Sequence, residues 1–242
     1  MEEIEGIRLN KYLSGMGVCS RREADRMMAE GRIRIDGETV GPGARIFLGQ
    51  QVELDGNVLQ TKDAEPGRVL LLCNKPMGIV CTTDRREKDN IIDFIHYPER
   101  IYPIGRLDKD SHGLILLTNV GYLHNEITRA AGGHEKEYLV RVDRRITADF
   151  VRRMSSGVYL SELSCMTAPA KVKKLSERTF SIVLTQGKNR QIRRMCRECS
   201  YGVVDLERIR VMHFTLEGLS EGEFRAATEE EWKLLDAKIG RA

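Results

Sequence analysis

The stretch that most constrains the fold is Gly105 to Asn119, GRLDKDSHGLILLTN. Its second half, Leu114-Ile115-Leu116-Leu117, is a short continuous apolar run of the kind a strand buried on both faces shows. Four charges in five residues, Arg106, Asp108, Lys109 and Asp110, stand immediately before it. Ionisable side chains are thus held at the lip of a core, where partial desolvation strengthens coupling between charges and shifts carboxylate pKa values. Asp108 or Asp110 is the first place to look for chemistry. The ordinary alternative is a turn, since Asp, Ser and Gly before a strand commonly bond nearby backbone amides.

At 242 residues with 41% hydrophobic composition, the chain can form one large domain or two smaller ones around a sizeable core. No run approaches the length of a membrane span, and the start MEEIEG has neither a basic nor an apolar leader region. A soluble, cytoplasmic protein without a membrane partner is expected. Of the six cysteines only Cys196 and Cys199 form a CxxC pair, and no second pair completes a zinc set, so reduced cysteines and no metal are expected.

The net charge of +3 hides two basic zones. From Lys171 to Arg210 there are 11 basic residues against 4 acidic ones, and from Arg8 to Arg34 there are 7 against 3. Two such zones far apart in sequence suit a polyanion laid across both.

In chain order, Leu9, Leu13 and Met16 mark one apolar face of a helix over 7–16. Ser20-Arg21-Arg22-Glu23 fits a capping box, which predicts a second helix from Arg21 to about Ala29 with its stop at Gly31. Residues 32–35 alternate as a half-buried strand does, and Asp36-Gly37 and Asp55-Gly56 are hairpin turn signals. A compact helix-helix-hairpin module follows over residues 7–62. Residues 63–68 read as a linker carrying Pro66-Gly67, and a second domain is expected over 69–236.

That domain opens with a buried strand, VLLLCNKP, followed by a charged loop and a short helix or turn over 90–97. A helix is expected after Asn119, an alternating strand at KEYLVRV (136–142) and an amphipathic helix over 146–157. Further strand patterns recur at AKVKKL and TFSIVLTQ, giving an α+β domain on a mixed or antiparallel sheet. With Asn189 as N-cap, Arg190, Arg193, Arg194 and Arg197 fall on one basic stripe of a helix, beside a Gly-Lys anion site. Together these read as a phosphate track.

The first module, with RLNKYL followed by GVCSRREADRMMAEGRIRIDGETV, resembles the S4 RNA-binding domain. That resemblance implies that Arg8, Lys11, Arg21, Arg22 and Arg26 face a phosphate backbone, contributing affinity and register rather than sequence readout. With GRLDKDSHGLILLTN, KEYLVRV and LTQGKNRQIRRM in order behind it, the whole chain resembles the RsuA-type pseudouridine synthases, the family typified by synthase A of the small ribosomal subunit. KDS after the Asp, GKNRQIRRMC and the tail LERIRVMHFTLEGL look closest to large-subunit enzymes of that family.

The resemblance implies an isomerase acting on a uridine of 23S ribosomal RNA, with tRNA as a second candidate substrate, and needing no cofactor. Asp108 matches the catalytic aspartate, and Arg106 the basic residue that helps receive the flipped nucleotide. Tyr138 matches the aromatic residue against the target base, and Arg193 the partner that keeps the aspartate ionised. Lys188 and Arg190 are expected on RNA phosphates, whereas Asp110 matches no catalytic position and keeps its reading as a turn residue. Nothing like a heptad seam is present, and a monomer is expected.

Two other classes stay open at this point. A non-catalytic RNA-binding or ribosome-assembly protein uses the same basic zones without needing Asp108. A magnesium-dependent transferase would use Asp108-Lys109-Asp110 as a D-x-D site, although no Gly-rich phosphate loop or further acidic cluster accompanies it.

Overall fold

A computed structural model of the chain describes residues 6–16, 18–47, 49–59, 67–128 and 132–240. The chain divides into two compact units, Met1–Arg68 with Asn119–Gly121, and Val69–Thr118 with Tyr122–Ala242. The stretch read as a linker, 63–68, lies mostly outside the described residues.

The first unit runs β1 (Ile7–Arg8), α1 (Leu9–Gly15), α2 (Arg21–Ala29), β2 (Ile33–Ile35), β3 (Glu38–Thr39), β4 (Arg45–Ile46), β5 (Val52–Leu54) and β6 (Asn57–Val58). Ser20 caps α2 by accepting the Glu23 amide at 3.2 Å, so the helix starts where the capping pattern placed it. Asp36-Gly37 and Asp55-Gly56 all take positive φ, the conformation a two-residue hairpin turn demands. The first helix begins two residues later than its apolar periodicity predicts, because Ile7 and Arg8 pair with Ile46 and Arg45. Leu9, Leu13, Ala24, Met28, Ile33 and Val52 close the core of this unit.

The second unit begins with β7 (Leu70–Lys75), α3 (Ile91–Ile95), β8 (Tyr102–Ile104), β9 (His112–Thr118), α4 (Gly121–Thr128) and β10 (Lys136–Val142). There follow α5 (Ala148–Ser156), β11 (Tyr159–Leu160), β12 (Cys165–Met166), β13 (Lys171–Lys174), β14 (Thr179–Leu184) and α6 (Gln191–Glu198). It ends with β15 (Val203–Val211), β16 (Phe214–Thr215), β17 (Phe224–Ala226) and α7 (Glu229–Lys238). Nine strands form one sheet in the order β13-β14-β10-β15-β9-β7-β17, with β16 on β15 and β8 on β9. The β9–β15 pairing is parallel and the others in this sheet are antiparallel, so the class is α+β on a mixed sheet, as the strand patterns predict.

β7 is buried along its whole length, and so is β9 from Gly113 onward, which is why both read as apolar runs rather than alternations. Two cores flank the centre of the sheet. One gathers Val140, Phe150, Phe180 and Ile192 beneath α5 and α6, and the other gathers Leu71, Ile91, Leu107 and Ile115 beneath α3. Cys196 and Cys199 are buried in the first core, where burial pushes both thiols above their ordinary pKa. Tyr138 packs against both cores. It stands opposite Arg208 of β15, which stands opposite Gly113 of β9. β15 thus separates β10 from β9, and it is the core shared with Leu107 that brings Tyr138 to the loop preceding β9.

Candidate active site at the Asp108 loop

Residues 105–111 join β8 to β9, and buried anchors hold this loop. Leu107 is buried and donates its amide to Cys81 Sγ at 3.4 Å, and Ser111, also buried, donates its amide to the Asp108 carbonyl at 3.1 Å. Lys109 turns away to Asp89 at 3.0 Å. Asp108 is left between two buried neighbours with its side chain 32% exposed. The nearest cation on it is Arg190, with Nη1 at 3.6 Å from Oδ2. That distance is an ion pair but too long for a hydrogen bond, so the carboxylate keeps its lone pairs.

The helix bearing the arginines starts at Gln191, one residue later than predicted, with Arg190 rather than Asn189 as its cap. Arg190 has φ 48 and ψ 37, a left-handed conformation uncommon for a long side chain. Asn189 instead accepts Arg194 Nε on its carbonyl and Nη2 on Oδ1, both at 2.9 Å. Arg190 gives Nη1 and Nη2 to the two carboxylate oxygens of Asp110 at 3.0 and 2.7 Å. Arg193, expected beside Asp108, lies instead on Asp110. Its Nη2 donates to the Asp110 carbonyl at 2.6 Å and to Ser111 Oγ at 3.2 Å, and its Nε is 3.4 Å from Asp110 Oδ2. The left-handed cap swings Arg190 toward the loop, and one helical turn later Arg193 meets the backbone beyond Asp108.

Arg194 and Arg197 both pair with Glu162. All four arginines of the stripe therefore hold intramolecular carboxylates, which the charge pattern alone does not reveal. Lys188 has a half-buried side chain without a partner among the described residues. Arg106 is exposed, and its carbonyl accepts Arg208 Nη1 at 3.4 Å. The two arginines on Asp110 hold its carboxyl below the usual carboxylate range, Arg190 by hydrogen bonding and Arg193 by charge. A carboxylate so occupied has little to offer a hard cation, which weighs against the D-x-D magnesium reading.

Two cations that sequence reasoning missed underlie the loop. Lys75 is 0% exposed, and its Nζ donates to the carbonyls of Pro76 at 2.8 Å and Ile79 at 2.9 Å. Burial pulls its pKa below the ordinary lysine value, with Asp108 among the charges that oppose the shift. Arg208 is 3% exposed and donates Nε to the Leu114 carbonyl at 2.7 Å. The only hint in the chain was a charged residue closing the apolar run of β7 before Pro76. Together the Asp108 carboxylate, Arg190 beside it and Tyr138, packed against the core that holds Leu107, form a set suited to nucleophilic or general-base chemistry on an extruded base.

In the first unit, Arg8, Lys11, Arg21, Arg22 and Arg26 are all exposed. Arg26 pairs with Glu23 at 3.5 Å and Glu30 at 3.8 Å, while the other four carry no ion pair among the described residues. This leaves cations available to a polyanion.

The profile of the RNA pseudouridylate synthase family matches residues 69–198, the span that holds the Asp108 loop, Tyr138 and α6. The chain belongs to this family. It is an isomerase of RNA modification, with an S4 domain matched over residues 7–52. It is similar to the dual-specificity RNA pseudouridine synthase RluF of Salmonella typhi, 48% identical over 239 residues, which cover 97% of this chain and 82% of that protein. RluF of Escherichia coli K12 is 49% identical over 225 residues, 93% of this chain and 77% of that one. The ribosomal large subunit pseudouridine synthase B of Bacillus subtilis strain 168 is 36% identical over 239 residues, 95% of this chain and 96% of that one. A crystal structure of a pseudouridylate synthase superposes with a TM-score of 0.69 at 28% identity, over 95% of this chain and 99% of that one. Among the described residues no helix is long and apolar enough to cross a membrane.

Proposed function

We propose that this synthase converts a uridine of 23S ribosomal RNA to pseudouridine, with Asp108 as its catalytic carboxylate and tRNA as a second substrate. The observation that carries the reading is the Asp108 carboxylate itself, half-exposed between buried Leu107 and Ser111, with a guanidinium 3.6 Å away and no hydrogen bond occupying it among the described residues. A non-catalytic RNA binder has no use for such a group. The substrate choice is supported by the dual-specificity name of the RluF relatives and the large-subunit name of the Bacillus relative.

The reaction breaks N1–C1′, turns the uracil within the pocket and joins C5 to C1′; the C5 proton is lost to solvent and N1 gains one, so atoms and electrons balance without a redox partner. Asp108 supplies either the nucleophile or the base. Arg106, exposed beside it, receives the extruded nucleotide. Tyr138 offers a face to the base, a contact worth roughly 1–3 kcal/mol in single-strand binders, against an extrusion cost of a few kcal/mol. Arg193 acts through the loop backbone. Lys188, and Arg190 through its Nε, meet RNA phosphates. The S4 domain over 7–62 lays Arg8, Lys11, Arg21, Arg22 and Arg26 on the RNA backbone, the segment 63–68 links it to the catalytic domain over 69–236, and the enzyme works as a cytoplasmic monomer.

The test is to incubate the protein with unmodified 23S rRNA, 16S rRNA and tRNA, then map carbodiimide-dependent reverse-transcription stops. New stops in 23S rRNA and tRNA are expected. Stops confined to 16S rRNA would overturn the substrate assignment, and none on any RNA or assembly particle would overturn the catalytic one.

A further inference from the structure

Asp110 reads from the sequence as a turn residue, and the family resemblance gives it no role. Its geometry gives it more. Both carboxylate oxygens accept Arg190 in a bidentate pair at 3.0 and 2.7 Å, its carbonyl accepts Arg193 at 2.6 Å, and Arg193 Nε stands 3.4 Å from Oδ2. The Asp110 side chain is 49% exposed, and isolated surface pairs contribute little. A fork-to-fork arginine pair shared within a network is the exception, because its geometry is fixed by two parallel bonds. The backbone supports this. Arg190 is held at φ 48, and a long side chain stays in that region only where its surroundings over-determine it.

Arg190 lies between two carboxylates. It is hydrogen-bonded to Asp110 and stops 3.6 Å short of Asp108. The charged groups around Asp108 are Lys75 from β7, which feels its charge, Arg190 from the cap of α6, and Asp110 on the same loop, which shares Arg190 with it. Of these, only Asp110 both competes for Arg190 and adds a like charge.

We infer that Asp110 is a positioning residue that holds Arg190 at ion-pair distance from Asp108, too far to bond its carboxylate. This inference rests on Asp108 being the catalytic group. Without Asp110, Arg190 closes onto Asp108 as a direct pair, which ties up the lone pairs needed for reaction. Without Arg190 as well, that pair cannot form and the carboxylate stays open.

The rate lost with Asp110 should therefore be regained when Arg190 is removed as well. Single-turnover tritium release from saturating RNA carrying 5-tritiated uridine is followed for wild type, Asp110→Asn, Arg190→Gln and the double variant, with thermal melts alongside. Asp110→Asn should lower the rate roughly 10-fold to 100-fold, and adding Arg190→Gln should restore most of it. If the double variant is as slow as Asp110→Asn or slower, Asp110 is loop scaffolding and the inference is overturned. If Asp110→Asn does not fold, Asp110→Ser takes its place, and rescue or its absence in the double variant decides in the same way. Full release by Asp108→Asn would instead remove the catalytic reading on which this rests.

Discussion

Gly113 and Arg208 face each other across the parallel β9–β15 pairing so closely that a Cβ on Gly113 would lie 2.4 Å from the Arg208 carbonyl oxygen. Gly113 also has φ +100, outside the range a side chain tolerates. The contact is backbone to backbone and cannot relax by turning a rotamer. Gly113→Ala should cost roughly 3 kcal/mol or more of stability, read as the loss of the thermal transition of the catalytic unit. A melt near that of wild type would contradict the tight packing of these strands behind the Asp108 loop.

Lys75→Met keeps the unbranched side chain one atom shorter and removes its two bonds to the Pro76 and Ile79 carbonyls. Stability should fall by roughly 2 kcal/mol, since unpaired buried carbonyls outweigh the relief of the buried charge. The pH dependence should change as well. Desolvation lowers the folded pKa of Lys75, so the unfolded chain binds more protons between that value and the ordinary one. Stability therefore rises with pH across that window in wild type, and this alkaline rise should be missing in urea melts of the variant.

Thr228 and Glu231 form a capping box at the start of α7, and Arg225 holds the Glu231 carboxylate at 2.7 and 2.8 Å. The Arg225 hydrogen bonds lower the Glu231 pKa. Its contribution is therefore complete above the ordinary glutamate value and lost as pH falls through the depressed folded value. Thr228→Ala should cost about 1 kcal/mol at neutral pH. Glu231→Gln should flatten the acid side of the stability profile, and an unchanged acid profile would count against the pair.

Arg21 and Arg22 are exposed at the start of α2 without ion pairs among the described residues. Changing both to Ala should weaken RNA binding and reduce the slope of log affinity against log salt by about 1.4, two phosphate contacts at the single-strand value. Filter binding over a salt series measures this. A slope equal to that of wild type would take these residues off the RNA.

What was legible in the sequence was what neighbouring residues decide among themselves. Ser20 announces α2, and the two Asp-Gly turns announce their hairpins, because capping and positive φ are local chemistry. The start of α6 was misplaced by one residue because an Asn is the better cap locally, whereas the observed cap, Arg190, is held in place by a carboxylate 80 residues away in the chain. The partner of Arg193 was likewise out of reach, since Asp108 and Asp110 are equivalent to a charge pattern and separable only by loop geometry. Lys75 and Arg208 were missed for the converse reason. Beyond the apolar run that Lys75 closes, nothing near them in the chain tells a lysine or arginine that it will be buried, and their carbonyl partners come from the loop path and a neighbouring strand.

The role of Asp108 is tested most directly by tritium release from 5-tritiated uridine RNA by Asp108→Asn, paired with an RNA-binding measurement on the same protein. RNA binding should stay within a few-fold of wild type while release falls to background. Release at a rate comparable to wild type would contradict that role, and would move the chemistry away from Asp108.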